Sequence, residues 1–365
     1  LSFDTTSGVI SGTPNVVSAA AIYTVTAINS GGSTSFDVSI TVNDVAPSAL
    51  SYNSPNVFTV GSSIANLVPT FTGNVTSFSI TPSLPSGLSF DTTTGIISGT
   101  PNVVSSTSIY TVTALNSGGS TSFGVSITVN DVAPSALAYA SPNVFTVGSS
   151  IADLVPSFTG NITSFSIAPA LPSGLSFDTT SGVISGTPNV VSSTTIYTVT
   201  AFNSGGSTSF GVSITVNDVA PSTLNYPSPN VFTVGNSIVN LVPTFSGNVS
   251  SFSIAPALPS GLSFDTTTGI ISGTPTTVTP TATYTVTETN SGGSLSFGIV
   301  ITVNDVAPST LSYTSPNVFT KGQTITALSP SISGSVISYS IAPSLPSGLS
   351  FDTTSGVISG TPNVV

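Results

Sequence analysis

The sequence predicts an all-β chain, a tandem array of antiparallel β-sandwiches of about seven strands each, with an 87-residue repeat, arranged as an extended rod. Three observations lead to this prediction. The segment Leu-Ser-Phe-Asp begins at positions 1, 88, 175, 262 and 349, a constant step of 87 residues. Short alternating apolar and polar segments recur between turn signals, at roughly 10-residue spacing. No segment combines helical periodicity with helix-forming residues, since Glu, Lys and Arg are almost absent.

The repeat also sets the domain boundaries. The motif Val-Asn-Asp-Val-Ala-Pro closes each unit, beginning at 42, 129, 216 and 303. Pro cannot donate to a sheet ladder and keeps its predecessor extended, which indicates a short, stiff joint. The predicted domains are a partial repeat at 1–45, complete repeats at 46–132, 133–219 and 220–306, and a partial repeat at 307–365.

Residues 1–45 correspond to the second half of a repeat and show its predicted strands. A short strand at 1–3 ends in the turn 4–8, where Asp4 caps the backbone and Gly8 takes a positive φ. Residues 22–27 place Tyr23 inward, and the segment Asn-Ser-Gly-Gly that follows is a hairpin signal. The return strand 36–42 alternates apolar and polar residues and therefore has one buried face.

The front half is read from the first complete repeat. Leu50 and Tyr52, then 57–60 and 64–71, indicate strands, and Pro69 places the last of them at an edge or bulge. The tyrosine that opens the penultimate strand either forms a tyrosine corner or simply packs in the core. It recurs as Tyr23, Tyr110, Tyr197 and Tyr284.

Composition excludes several classes of function. Charged residues make up 4% of the chain, with 12 acids, a single base (Lys321) and a net charge of −11. Nucleic-acid binding and docking to anionic membranes both need clustered Lys and Arg, so neither is expected. Cysteine is absent, which removes disulfides and thiolate metal sites. The chain has no run of about 18 apolar residues, so no segment is expected to insert in a membrane.

The segment 87–101, Gly-Leu-Ser-Phe-Asp-Thr-Thr-Thr-Gly-Ile-Ile-Ser-Gly-Thr-Pro, is followed at 110–120 by Tyr-Thr-Val-Thr-Ala-Leu-Asn-Ser-Gly-Gly-Ser. Together they resemble the bacterial immunoglobulin-like domain family, which is related to cadherin-like modules. The near-identical copies and their joints are also similar to the giant repetitive surface adhesins of gliding Bacteroidetes. This resemblance implies Ig-like or cadherin-like sandwiches, export by the type IX route, and a cell-surface adhesin filament acting in gliding motility.

The usual catalytic groups are missing. The chain has no His, no Cys and one Lys, so the common general bases and activated nucleophiles are absent. Two carboxylates recur in each repeat, at the turn (Asp91) and at the joint (Asp131), and the strand plan separates them. We therefore predict no enzyme activity, no catalytic residue and no cofactor-binding residue.

The joint is the candidate metal site. Asn130-Asp131-Val132-Ala133-Pro134 is similar to part of the calcium-binding linkers of cadherins. Calcium takes six to eight oxygen ligands, and no Asp-x-Glu or Asp-Ala-Asp partner is present here. The favoured interpretation is a capped, proline-stiffened linker without metal; the interdomain calcium candidates are Asp44, Asp131, Asp218 and Asp305.

The turn carries a candidate modification site. Its aspartate caps the turn, and Asp-Thr-Thr also resembles the O-glycosylation acceptor of Bacteroidetes. The candidate threonines are Thr5, Thr92, Thr179, Thr266 and Thr353. The segments beginning at Asn74, Asn161 and Asn248 fit the N-glycosylation pattern, which in a bacterial protein we read as accidental.

The sequence thus predicts the non-catalytic stalk or adhesive region of a large adhesin, outside the cell on a bacterial surface. Its expected partners are polysaccharide or solid surfaces and the cell-surface, secretion or motility machinery. Two alternatives stay open. One is a pure spacer for an exported enzyme or binding domain elsewhere in the protein, and the other is a self-associating extracellular filament subunit.

Overall fold

A computed structural model describes residues 1–365, and its regular elements are all β-strands. None of its elements is a helix with the length and hydropathy of a membrane span. The chain divides into two compact units. The first comprises residues 1–143, 151–186 and 195–214, and the second comprises residues 144–150, 187–194 and 215–365.

The strands recur in the same order in the three complete repeats. Residues 1–45 form β1 (Ser2–Phe3), β2 (Ile10–Ser11), β3 (Ser18–Asn29) and β4 (Gly32–Val42). Residues 46–132 form β5 (Ser48–Ser51), β6 (Asn56–Thr59), β7 (Thr70–Thr72), β8 (Ser77–Thr81), β9 (Leu88–Phe90), β10 (Ile97–Gly99), β11 (Ser105–Asn116) and β12 (Gly119–Asn130). Residues 133–219 form β13 (Ser135–Ala138), β14 (Asn143–Thr146), β15 (Ser157–Thr159), β16 (Ser164–Ala168), β17 (Leu175–Phe177), β18 (Ile184–Gly186), β19 (Ser192–Asn203) and β20 (Gly206–Asn217).

The remaining strands belong to the third complete repeat and the last partial one. Residues 220–306 form β21 (Leu224–Asn225), β22 (Asn230–Thr233), β23 (Thr244–Phe245), β24 (Ser251–Ala255), β25 (Leu262–Phe264), β26 (Ile271–Gly273), β27 (Thr279–Asn290) and β28 (Gly293–Asn304). Residues 307–365 form β29 (Ser309–Ser312), β30 (Ser331–Ser333), β31 (Leu349–Phe351) and β32 (Ile358–Gly360).

In the first unit, the larger sheet of repeat 46–132 has the strand order β6-β12-β11-β8. The long strands β11 and β12 form the predicted hairpin, with Asn116 opposite Gly119, and β8 pairs antiparallel with β11. β6, however, pairs with β12 in parallel, which departs from the predicted antiparallel arrangement. A parallel pair needs a long crossover, and residues 60–118 supply it.

The second layer of this repeat consists of two short antiparallel pairs, β5 with β7 and β9 with β10. An isolated bridge between Leu67 and Ile97 joins them. The repeat has eight strands rather than about seven, because the short strands β9 and β10 on either side of the turn at 91–95 count separately. The strand predicted at 64–71 was too long: only β7 forms at its end, and Pro69 lies just before β7 rather than within a strand, since proline cannot donate to a sheet ladder.

The core lies between the two layers. The strand alternation predicted from the sequence is confirmed, since Tyr110, Val112 and Ala114 are buried on one face of β11. Burying one large aliphatic side chain contributes about 1.5–3 kcal/mol, so this alternation stabilises each repeat on its own. The buried cluster consists of Leu50, Tyr52, Leu67, Phe78, Ile97, Tyr110, Val112, Ala114, Val125, Ile127 and Val129.

Tyr110 therefore packs in the core. A different tyrosine bonds to distant backbone: the Tyr52 hydroxyl donates to the Gly95 carbonyl at 2.6 Å. Burial raises the pKa of the Tyr52 phenol to about 12. This bond ties the front half of the repeat to the turn that follows β9.

In the second unit, the larger sheet of repeat 220–306 has the equivalent order β22-β28-β27-β24. Val286, Ile299 and Ile301 are fully buried, as their counterparts are in repeat 46–132. One core position differs: Glu288 stands where the two preceding repeats have Ala114 and Ala201, and it is also fully buried.

Candidate functional site at the joints between repeats

The joint at residues 43–47 lies between β4 and β5, and Asp44 is bonded to the repeat that follows it. Its backbone amide donates to Ser117 Oγ at 3.0 Å. Its Oδ2 accepts from Asn74 Nδ2 at 3.0 Å, and its Oδ1 accepts from the Val45 amide at 2.8 Å. Asp44 thus caps its own linker and also bonds to residues 30 and 73 positions further along the chain.

Asn116 holds the other side of the linker. It is only 5% exposed at the end of β11. Its Nδ2 donates to the Val45 carbonyl at 2.7 Å and to the Asn74 carbonyl at 2.9 Å. Its Oδ1 accepts from the Gly118 amide at 2.8 Å. One buried side chain therefore connects the linker, the loop before β8 and the β11–β12 turn.

Gly118 is required by close packing of two backbones. A Cβ at this position would overlap the Asp44 carbonyl oxygen, which is backbone and cannot turn aside. At Gly119, which has a φ of +144°, a Cβ would lie 3.1 Å from the Ala46 Cβ. The Ser-Gly-Gly turn therefore closes the hairpin and also receives the preceding linker. We call Asn74, Asn116, Ser117 and Gly118, with their counterparts, the joint clamp.

The same clamp is built at the next two joints. The clamp residues there are Asn161, Asn203, Ser204 and Gly205 for the linker of Asp131, and Asn248, Asn290, Ser291 and Gly292 for the linker of Asp218. The amides of Asp131 and Asp218 donate to the clamp serines at 2.9 and 2.7 Å. Their Oδ2 atoms accept from the clamp asparagines at 3.0 and 2.9 Å. A Cβ on the clamp glycine would again overlap the aspartate carbonyl oxygen.

The fourth joint differs in sequence. Asp305 Oδ1 accepts from the Val306 amide at 2.8 Å, as in the other joints. The residue 30 positions further on is Ser335 instead of asparagine. Ser335 therefore stands at the position of Asn74, the residue that bonds Asp44 Oδ2 in the first joint, and its side chain is shorter.

The calcium candidates lie in this arrangement as hydrogen-bond acceptors. Both carboxylate oxygens of Asp44 accept from N–H donors. No group of three or more His, Cys, Asp or Glu side chains is positioned to hold a metal ion. The favoured linker without metal stays a prediction, and calcium at these candidates would require the Asn74 amide to turn away from Asp44.

The turn between β9 and β10 uses its aspartate differently. Asp91 Oδ1 accepts from the amides of Thr93 at 2.7 Å and Thr94 at 3.2 Å. The Thr93 amide, followed by the Thr94 side chain and amide, lowers the pKa of this exposed carboxyl. The predicted cap is confirmed, and all of its partners lie within three residues.

The modification candidates are at the surface of this turn. Thr92 is exposed, while its carbonyl accepts from the Phe78 amide at 2.8 Å, so the backbone is fixed and the side chain faces solvent. The other four candidate threonines are exposed as well. O-glycosylation stays a prediction.

Sequence reasoning missed the clamp. It interpreted Asn74 only as an accidental glycosylation pattern, and it interpreted Asn116 and Gly118 only as a hairpin signal. The available signal was that Asn74, Asn161 and Asn248 recur at the same 87-residue step as the joint itself. A surface loop under no constraint would not need the same amide at each copy.

Residues 1–45 carry a groove of about 570 Å³, lined by residues that include Leu1, Phe3, Tyr23 and Ile40. Tyr23 and Ile40 are the counterparts of Tyr110 and Ile127, which the front half of repeat 46–132 covers in its core. The groove is thus the inner face of a sandwich.

A family model described as "Putative Ig domain" matches residues 39–130, 133–217, 220–304 and 300–365. The chain is similar to the "Serine-rich adhesin for platelets" of Staphylococcus aureus. It is 34% identical over 139 residues of the adhesin from strain MRSA252, which is 37% of this chain and 10% of that protein. It is 33% identical over 157 residues of the adhesin from strain USA300, which is 41% of this chain and 7% of that protein.

The chain spans a tenth or less of the length of these curated relatives. Among solved structures, an I-band fragment of titin, I67–I69, matches with a TM-score of 0.35 and 16% identity, covering 72% of this chain and 99% of that one. The protocadherin GammaB4 extracellular domain matches with a TM-score of 0.27 and 16% identity, covering 97% of this chain and 72% of that one. Neither structural match bears on function. The family model accounts for nearly the whole chain, which therefore belongs to the family described as "Putative Ig domain".

Proposed function

We propose that this chain is a non-catalytic stalk region of a large bacterial cell-surface adhesin, in which clamped joints hold successive Ig-like repeats in a fixed orientation. The observation that carries the proposal is the joint clamp, built three times from the same residues with nearly the same distances. A chain that only needed to link independent domains would not need a bonded asparagine and a backbone-to-backbone contact at each of these linkers.

The relatives support the adhesin part of the proposal. The similar Staphylococcus aureus proteins are named as adhesins for platelets, and that target belongs to them. For this chain we propose the coarser role of surface attachment outside the cell. Export by the type IX route, gliding motility and assembly into a filament stay predictions.

The outer face of the larger sheet suggests how contact would be made. Outward hydroxyls pair across the strands, as in Thr107 with Thr128 at 2.7 Å and Thr113 with Ser122 at 2.8 Å. The corresponding pairs recur in the later repeats as Thr194–Thr215, Thr200–Ser209, Thr281–Thr302 and Thr287–Ser296. Such an uncharged hydroxyl face suits hydrogen bonding to polysaccharide or to a hydroxylated solid surface.

The test is a replacement in the native cell. The block is exchanged for unrelated Ig-like repeats of equal length with rigid joints, or for a Gly/Ser-rich linker of equal residue number, and surface display is confirmed for both. Contact through the hydroxyl face of this chain predicts that both replacements attach less well than the parent. The stalk proposal predicts that the rigid repeats attach better than the flexible linker does. Equal attachment with the flexible linker would contradict it.

The contact face is tested separately on the purified chain. Thr113→Val and Ser122→Val, with the same changes at the equivalent pairs, remove the outward hydroxyls and leave the core unchanged. Binding to polysaccharide-coated surfaces is expected to fall in this variant. Unchanged binding would place the adhesive chemistry elsewhere and leave the stalk role intact.

A further inference from the structure

Repeat 220–306 contains a buried carboxyl that its sister repeats lack. Glu288 is fully buried on β27, and neither carboxyl oxygen has a hydrogen-bond partner. Its cross-strand neighbours are Phe252 on β24 and Leu295 on β28, so two sides of the carboxyl are apolar. A buried, unpaired carboxylate is among the most costly groups in a protein interior, and it is normally relieved by protonation.

No titratable group near Glu288 forms a hydrogen bond or an ion pair with its carboxyl. Strands β24 and β28 carry no ionisable side chain. Tyr226, which directly follows β21, is close enough to Glu288 to interact with its charge, and its hydroxyl already donates to the Gly269 carbonyl at 2.6 Å. Tyr284, on the same strand as Glu288, is buried in the same cluster. No cation is close by, since the single base of the chain is Lys321, in the following partial repeat.

We propose that Glu288 makes repeat 220–306 the pH-sensitive unit of the chain, which packs fully while the carboxyl keeps its proton and opens locally when the proton is lost. Repeats 46–132 and 133–219 have alanine at this position and nearly the same sequence around it, so they serve as internal controls. This inference does not depend on the adhesin proposal.

The direction of the effect follows from burial, which raises the pKa of the Glu288 carboxyl above its ordinary value of 4.5. In the unfolded chain the carboxyl ionises near that ordinary value. The stabilising effect of the protonated form is therefore complete below pH 4.5 and is lost as the pH rises toward the raised value.

The test is amide hydrogen exchange on the whole chain at about pH 4.5 and about pH 8, with rates corrected for intrinsic exchange. We expect protection of residues 284–290 to fall by about tenfold or more at the higher pH, because the buried carboxyl then loses its proton. The equivalent segment 110–116 should keep its protection. An equal change in both segments would overturn the proposal.

Two substitutions separate titration from the burial of a polar group. Glu288→Ala should raise protection at the higher pH and remove the pH dependence. Glu288→Gln should also remove the pH dependence but leave protection low, because the amide remains buried and unpaired. A pH dependence that survives in Glu288→Gln would overturn the proposal.

The reciprocal change, Ala114→Glu, should transfer the pH dependence to segment 110–116. If this variant does not fold, the Glu288→Ala and Glu288→Gln variants still test the proposal.

Discussion

Each repeat carries two recurring aspartates with the same capping chemistry, and only one of them reaches another repeat. Asp91 accepts from amides two and three residues ahead and fixes its own turn. Asp44 accepts from the next residue and also from Asn74, 30 positions on, while its amide bonds to Ser117. The comparison teaches that the residue type sets the local cap, whereas the distant partners turn one cap into a joint. We therefore expect changes at the clamp to destabilise the joint and changes at Asp91 to affect only its own turn.

The largest effect is expected at the glycine of the clamp. In Gly205→Ala, the new Cβ would overlap the Asp131 carbonyl oxygen, and neither backbone can yield without moving the linker. We expect the joint to be destabilised by about 3 kcal/mol, at the upper end for overpacking. The measurement is amide exchange at Asp131, whose amide bonds to the clamp. Gly211→Ala is the matched control, because its Cβ would meet only the Ile196 side chain; equal effects of the two changes would contradict the account.

The next largest effect is expected at the clamp asparagine. Asn116→Ala leaves the carbonyls of Val45 and Asn74 and the amide of Gly118 without their partner. Leaving buried polar groups unpaired costs about 2 kcal/mol. Chemical denaturation and exchange of the Gly118 amide would measure the loss. Asn116→Asp keeps the acceptor for Gly118 but places a buried carboxylate oxygen against the carbonyls of Val45 and Asn74, so it should be at least as destabilising as alanine. An alanine variant as stable as the parent would show that the bonds do not matter.

A smaller and strictly local effect is expected at the turn. Asp91→Ala removes the cap of the β9–β10 turn, and we expect the melting temperature of that repeat to fall slightly while the joints stay closed. The reason is that the partners of Asp91 lie inside the turn. Exchange at Thr93 and at Asp131 in the same sample distinguishes the two sites. Faster exchange at Asp131 would mean that the turn and the joint are coupled.

The smallest effect is expected from acid. Backbone amides lower the pKa of the turn carboxyls Asp91, Asp178 and Asp265 below the ordinary 3.8. Their contribution to stability is therefore complete above pH 3.8 and is lost as the pH falls through the lowered values. Because these carboxyls are exposed, we expect only a shallow decline in melting temperature. A triple Asp→Asn variant should flatten it; an unchanged acid profile in that variant would exclude these carboxyls as the cause.

The fold was accessible from the sequence because its signals are local. Alternation placed Tyr110 and Val112 inward, and Asn-Ser-Gly-Gly fixed the hairpin register at Asn116 and Gly119. The parallel pairing of β6 with β12 was not accessible, since nothing within Asn56–Thr59 states the direction of a partner some 70 residues away. The clamp was missed for the same reason.

Glu288 illustrates a different limit. The alternation of β27 puts position 288 inward, yet the residue is a carboxylic acid, so pattern and chemistry disagree. Sequence alone could not decide whether the strand shifts or the acid is buried. The structure keeps the register, with Glu288 opposite Leu295, as Ala114 is opposite Thr121.

The central claim, that clamped joints hold neighbouring repeats in a fixed orientation, is tested most directly by a distance distribution across one joint. The chain has no cysteine, so Ser79→Cys and Ser166→Cys, at equivalent exposed positions on β8 and β16, give a unique pair of spin labels on either side of the Asp131 joint. The account predicts a single narrow distribution that broadens in Gly205→Ala. A distribution equally broad in the parent and in the Gly205→Ala variant would contradict it.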